Sequence, residues 1–130
     1  SAEEPTDSID AQRDDRLRNP PIDIAKAIER LGGNRAIFQR VASRFVETQE
    51  AELEICEGHV RDQNWTAALE YFHTFRGVAG FVGAEDLVRD ALDIEEQIKS
   101  GKYEDIEMSM FGFRSNVMLV IAQLRRLIAS

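Results

Sequence analysis

The sequence contains few of the residues that define several common classes of protein. Its 130 residues include one cysteine, two histidines, one tryptophan and three prolines. The single cysteine, Cys56, cannot form an internal disulfide, which excludes a disulfide-stabilised scaffold and is typical of a reducing cytoplasm. No segment approaches the roughly 18 apolar residues of a membrane-spanning helix, and the acidic N-terminus does not resemble a signal peptide. We therefore expect a cytoplasmic protein without direct membrane contact.

Basic side chains are fewer than acidic ones. The chain has 24 acidic and 16 basic side chains, which gives a formal net charge of -8. An acidic chain repels the phosphates of nucleic acids and the headgroups of anionic lipids. We therefore expect no nucleic-acid partner.

The first 21 residues differ in composition from the rest of the chain. Their only large aliphatic side chains, Ile9 and Leu17, lie among charged residues and turn formers. So few apolar groups cannot offset the conformational entropy that is lost on folding. We predict a flexible linker over residues 1–21 and one domain of ordinary size over residues 22–130.

From Ile22 onward, apolar residues recur at helical spacing, and no segment shows the two-residue alternation of a half-buried strand. Asp23, Asn34 and Asn64 are candidate N-caps, because their side-chain oxygens can accept hydrogen bonds from the first helical turn. The predicted helices cover residues 24–31, 34–62, 64–82, 84–100 and 105–129. This pattern predicts an all-α fold, an antiparallel up-down-up-down four-helix bundle with a short additional N-terminal helix.

One predicted helix carries an unusual set of residues on a single face. Positions i, i+3, i+4 and i+7 share a face of a helix, and counted from His73 these are Arg76, Gly77 and Gly80. An imidazole can act as a nucleophile, and a guanidinium one turn away could neutralise an anion attached to the ring. Each glycine costs about 1 kcal/mol of helix propensity relative to alanine. The glycines either clear an approach to the ring or allow close packing against another helix.

The segment 72–84 resembles the signature of histidine-containing phosphotransfer (HPt) domains, of the type found at the C-terminus of bacterial hybrid sensor histidine kinases. The similarity extends over about residues 22–128. In the signature, a phosphorylated histidine is followed by a hydrophobic residue at +2, a basic one at +3, glycine at +4, a small residue at +6 and glycine at +10. The chain departs from the common pattern at Phe72 and at Phe81, which is either an exposed aromatic residue or part of the core. The matching residues are His73, Phe75, Arg76, Gly77, Ala79 and Gly83.

The resemblance implies a phosphorelay carrier without kinase activity of its own. Nε2 of His73 would accept a phosphoryl group from a receiver-domain aspartate and pass it to an aspartate of another receiver domain in two-component signal transduction. The implied partners are response-regulator receiver domains and a hybrid sensor histidine kinase. The domain itself would hold no cofactor or metal, because the receiver would supply the acidic pocket and Mg²⁺.

Two further expectations concern the neighbours of His73. Glu95 corresponds to a family position whose polar side chain often holds the other ring nitrogen, Nδ1. Such a bond would leave Nε2 free to act as the nucleophile; alternatively, Glu95 is a solvated helix residue. Arg76 is expected to support the transferred group, so that its removal slows transfer with little change in stability.

Other functions remain open on sequence grounds. Glu70 and His73 form the Glu-x-x-His pair of di-iron bundles, but such a site needs a second pair and two more glutamates. Cys56-x-x-His59 offers too few ligands for a structural zinc site. A histidine kinase dimerisation helix is disfavoured, because no nucleotide-binding motif follows. The stronger alternative is an HPt-like interaction bundle that lacks phosphotransfer activity.

Overall fold

A computed structural model describes residues 22–129, which form five α-helices and contain no β-strand. The predicted linker over residues 1–21 lies outside the described residues. None of the helices within residues 22–129 is both long enough and apolar enough to cross a membrane. The helices are α1 (Ile24–Arg30), α2 (Arg35–Arg61), α3 (Trp65–Phe81), α4 (Glu85–Lys99) and α5 (Ile106–Ala129).

Three helices begin with the side-chain caps that the sequence predicts. In each case a side-chain oxygen accepts a hydrogen bond from the backbone N–H three residues later, which satisfies one of the unpaired donors of the first turn. α4 begins after Ala84 without a side-chain cap. The capping bonds are Asp23 from Lys26 at 3.0 Å, Asn34 from Ile37 at 3.1 Å and Asn64 from Ala67 at 3.3 Å.

The four long helices form the predicted antiparallel bundle. Within residues 22–129, α2 and α4 each lie next to both α3 and α5, whereas the backbones of α3 and α5 are not neighbours and these two helices meet across the core through their side chains. α3 and α5 therefore lie on opposite sides of the bundle. The centre of the core is aromatic, since the ring of Phe113 packs edge-on against Phe72 and Phe75 at centroid distances of 5.2 and 5.0 Å.

The core also contains a polar side chain, Gln49, which interrupts the apolar stripe of α2. Gln49 is buried, and its amide donates to Glu52 Oε2 at 3.1 Å. The hydroxyl of Tyr71 on α3 donates to Gln49 Oε1 at 3.4 Å. Burial raises the pKa of Tyr71 far above its usual range, so this hydroxyl remains a hydrogen-bond donor. The core accommodates Gln49 because both the nitrogen and the oxygen of its amide have hydrogen-bond partners.

The short helix α1 packs against α2 and α3 at the end of the bundle where α3 turns into α4. The backbone N–H of Asp23 donates to the carbonyl of Gly83 at 3.1 Å. Arg30 pairs with Glu85 and also donates to the carbonyl of Gly80 at 3.4 Å. These bonds join α1 to the turn that closes α3.

At position 83, glycine is the only residue type that fits this junction. Its φ angle is +79°, a left-handed conformation that side chains disfavour. A Cβ atom there would lie 2.6 Å from the carbonyl oxygen of Asp23 and 3.0 Å from the Cβ of Ala27. The glycine at the end of the HPt-like signature therefore has a structural role, the docking of α1.

Candidate functional site

The structure places the predicted site residues on the outer face of α3. His73 and Gly77 are exposed, and Arg76 and Gly80 are half-buried. The opposite face of the same helix is buried, as its apolar periodicity predicts. The buried residues of α3 are Ala68, Phe72, Phe75 and Ala79.

The two glycines of this face do not serve helix packing. A Cβ atom placed on Gly77 or on Gly80 would meet no atom within 4 Å. The interpretation that these glycines allow close helix–helix approach is therefore wrong for this fold. Their effect is to leave the surface next to His73 low and free of side chains.

Arg76 connects the imidazole of His73 to a buried carboxylate. Its Nη2 atom lies 2.9 Å from Nδ1 of His73, and its Nε donates to Oε1 of Glu95 at 3.0 Å. The side chain of Glu95 is only 2% exposed, whereas that of Arg76 is 30% exposed. Nζ of Lys99 lies 4.0 Å from the other carboxylate oxygen. Two cations thus surround Glu95, which offsets part of the cost of burying a charge.

Both sequence-based interpretations of Glu95 need correction. Glu95 is not a solvated residue, because α4 buries it against the bundle. It does not hold Nδ1 of His73 either, because the guanidinium of Arg76 lies between the carboxylate and the ring. The structure therefore brings Glu95 to the site, but Glu95 acts on the imidazole only through Arg76.

This arrangement determines which ring nitrogen carries hydrogen in the resting domain. A guanidinium has only donors, so Nδ1 of His73 must be the acceptor of the bond from Arg76. A neutral ring then carries its hydrogen on Nε2. This tautomer is the opposite of the one that a direct bond from Glu95 would favour.

Exposed apolar side chains lie close to this site along the chain. Phe81, one turn beyond Gly77 on α3, is exposed, so its interpretation as a core residue is wrong. Leu92 on α4 is also exposed and lies three residues before Glu95. Leu92 and Lys99 are not among the site residues predicted from the sequence. Leu92 could have been found, because it does not fit the spacing of the buried stripe of α4.

The potential metal ligands noted in the sequence are dispersed. Among residues 22–129, no group of three or more His, Cys, Asp or Glu side chains is close enough to hold a metal ion. Cys56 lies in the core, where burial and the nearby Glu57 carboxylate raise the pKa of its thiol to about 12. At neutral pH this sulfur is a protonated thiol, not a thiolate ligand.

A comparison with protein families agrees with this geometry. The family model described as Hpt domain matches residues 40–129, which include most of α2 and all of α3, α4 and α5. His73, Arg76, Gly77, Gly80 and Glu95 all lie within the match. No curated protein and no solved structure matches the chain significantly.

Proposed function

Because the chain belongs to the Hpt domain family, whose members carry phosphoryl groups in phosphorelays, we propose that His73 is the residue that carries the phosphoryl group here. One observation supports this assignment above the others. His73 is exposed beside a guanidinium, on a helix face that two open glycines leave unobstructed. His59, the other histidine, is half-buried near the end of α2 and lies outside the signature.

The proposed reaction is reversible transfer between an aspartyl phosphate and the imidazole. The lone pair of Nε2 attacks phosphorus, the bond from phosphorus to the aspartate oxygen breaks, and the electron pair of that bond returns to the carboxylate. Transfer to a second receiver aspartate reverses these steps. The partners belong to the classes that the family implies, receiver domains and histidine kinases. We further propose that the donor and acceptor are two receiver domains, that the receiver supplies Mg²⁺, and that the relay operates in the cytoplasm beside a hybrid sensor kinase.

Arg76 has two roles in this proposal. While it donates to Nδ1, the hydrogen of the neutral ring is on Nε2, and Nε2 has no lone pair for attack. Arg76 must therefore leave Nδ1 when the receiver docks, and the ring must lose its hydrogen from Nε2 to water and take one up at Nδ1 before Nε2 can attack. A guanidinium has five N–H donors, so Arg76 can keep its Nε bond to Glu95 while an Nη group turns toward the phosphoryl oxygens. Charge-assisted bonds of this kind are stronger than neutral ones, and positioned charge accounts for most catalysis of phosphoryl transfer.

The assignment can be tested by labelling the chain from a phosphorylated receiver domain. We expect the label to survive base and to be lost in acid, as for a phosphoryl-imidazole, and we expect no label from ATP alone. His73→Gln should remove all labelling, whereas the control His59→Gln should label normally. Labelling of the His73→Gln chain, or its loss in the His59→Gln chain, would contradict the assignment. A folded wild-type chain that accepts no label from any receiver would favour an interaction bundle instead.

A further inference from the structure

The outer face of α5 is the most apolar exposed helix surface of the described chain. Met108 and Phe111 are 77% and 73% exposed, and Leu119 is 50% exposed. Surface helices normally present charged residues to water, and the outer face of α2 does so. Between Glu107 and Arg125, by contrast, no exposed residue of α5 carries a charge. The exposed residues of this stretch are Met108, Phe111, Gly112, Ser115, Leu119 and Ala122.

This surface is separate from the proposed phosphotransfer site. His73 lies on the outer face of α3, and in the described residues α3 and α5 occupy opposite sides of the bundle, with the core between their outer faces. A receiver docked on α3 would therefore leave the outer face of α5 in water. Large exposed apolar patches mark interaction sites more often than they mark ordinary surface.

The spacing of this surface is symmetric about its centre. The steps from Met108 through Phe111, Ser115 and Leu119 to Ala122 are 3, 4, 4 and 3 residues. A second copy of α5, placed antiparallel about a two-fold axis at Ser115, would pair Phe111 with Leu119 of that copy and Met108 with Ala122. Two-fold interfaces require a surface that is complementary to itself in this way.

The charges at the two ends of α5 fit the same register. Glu104 and Asp105 precede the helix, and Arg125 and Arg126 lie in its last turns. Within residues 22–129, none of these four side chains takes part in an ion pair. The antiparallel register would place Glu104 opposite Arg126 of the second copy, and Asp105 opposite Arg125. The dipoles of two antiparallel helices would also attract each other, because the N-terminus of each helix lies beside the C-terminus of the other.

We propose that the outer face of α5 is a self-association surface on which a second copy of this chain packs antiparallel, with the two-fold axis at Ser115. A contact of one helix face is small, below the roughly 1,200 Å² of a standard specific interface. The dimer is therefore weak, with a Kd of about 10–500 μM. Both His73 side chains remain accessible, because the interface lies on the opposite side of each bundle.

Sedimentation velocity of the full chain over a range of concentrations tests the surface. The wild-type chain is expected to shift from the monomer mass of 14.7 kDa toward twice that mass as concentration rises. Phe111→Glu should remain monomeric throughout. Ile55→Glu, a matched change at a 62% exposed residue of α2, should associate like the wild type. A wild-type chain that stays monomeric at about 1 mM, well above the expected Kd, would overturn the proposal, as would equal association of the Phe111→Glu chain.

Two further variants test the register. Ser115→Cys places a thiol on the proposed two-fold axis and should form a disulfide-linked dimer faster than Ala51→Cys, an exposed control on α2. Cys56 does not compete, because it is buried and protonated. Arg126→Glu changes both symmetry-related pairs of Glu104 with Arg126 and should weaken the dimer about 3- to 30-fold, as expected for two exposed ion pairs of up to about 1 kcal/mol each. Glu104→Arg in the same chain should restore it. Equal crosslinking rates or absence of rescue would exclude this register. None of these measurements depends on phosphotransfer.

Discussion

The middle of α3 and its C-terminal turn belong to one short sequence motif, yet their surroundings are opposite. Around His73, the glycines at 77 and 80 face open space, and a Cβ atom at either position would touch nothing. At the turn, Gly83 is buried beneath α1 and has no room for a Cβ atom. The glycines of one signature can therefore have different physical causes, access in one region and backbone geometry with tight packing in the other.

The largest expected effect on stability lies at the C-terminal turn of α3, where Gly83 is packed beneath α1. Gly83→Ala must adopt a disfavoured φ and displace the backbone of Asp23, so we expect a loss of about 2–4 kcal/mol in the free energy of unfolding. Gly101→Ala is the matched control, because its φ is +69° but its Cβ would meet nothing within 4 Å. The control should lose only about 1 kcal/mol. If urea unfolding gives both variants the same loss in free energy of unfolding, then α1 can move to accommodate the added Cβ atom, and packing does not require glycine at position 83.

The next largest effect concerns Arg76, in the middle of α3 beside His73. Arg76→Ala removes a charge-assisted interaction and should slow transfer from a phosphorylated receiver about 10- to 100-fold. The expectation of little change in stability requires revision, because Arg76 also pairs with the buried Glu95. We expect a loss of about 1–3 kcal/mol in the free energy of unfolding.

A double variant separates these two effects of Arg76. Arg76→Ala combined with Glu95→Gln leaves no uncompensated buried carboxylate, so it should recover part of the lost stability while transfer remains slow. Recovery of the transfer rate together with stability would show that Arg76 only supports the fold, and the difference between the two regions of α3 would then be smaller than proposed.

A smaller effect is expected at Gly77. Gly77→Ala should raise the free energy of unfolding by about 1 kcal/mol, because it adds helix propensity at an open position. Gly112→Ala, at an exposed and equally open position of α5, should give the same gain without changing transfer. Gly77→Gln should fold well but weaken receiver docking, since its side chain would extend over the face beside His73. Normal transfer by the Gly77→Gln chain would contradict the access argument.

The smallest effect is the position of one hydrogen in the resting domain. ¹⁵N NMR of the neutral form of the His73 ring should show hydrogen on Nε2, because Arg76 occupies Nδ1. Arg76→Ala should shift the tautomer ratio by a few-fold, less than about 1 kcal/mol. His59 is an internal control whose spectrum should not change. Hydrogen found mainly on Nδ1 of His73 in the wild-type chain would exclude the resting contact.

Much of the fold and part of the site could be predicted because their causes are local. Asp23, Asn34 and Asn64 cap the helices that directly follow them, and apolar spacing determines which face of each helix is buried. The shared face of His73 and Gly77 follows from helical geometry alone. The role of Glu95 could not be predicted, because its burial and its bond to Arg76 depend on how α3 and α4 pack.

The sequence by itself determined the helices, their ends and the alignment of the reactive face, since each depends on residues a few positions apart. Only the tertiary structure decided what occupies the space beside those residues. It placed the guanidinium of Arg76 between Glu95 and His73, packed Asp23 onto Gly83 and left Gly77 open. The physical reason is that local propensity depends on backbone geometry, whereas contacts between distant residues depend on the positions of whole helices and on how far long side chains reach across them.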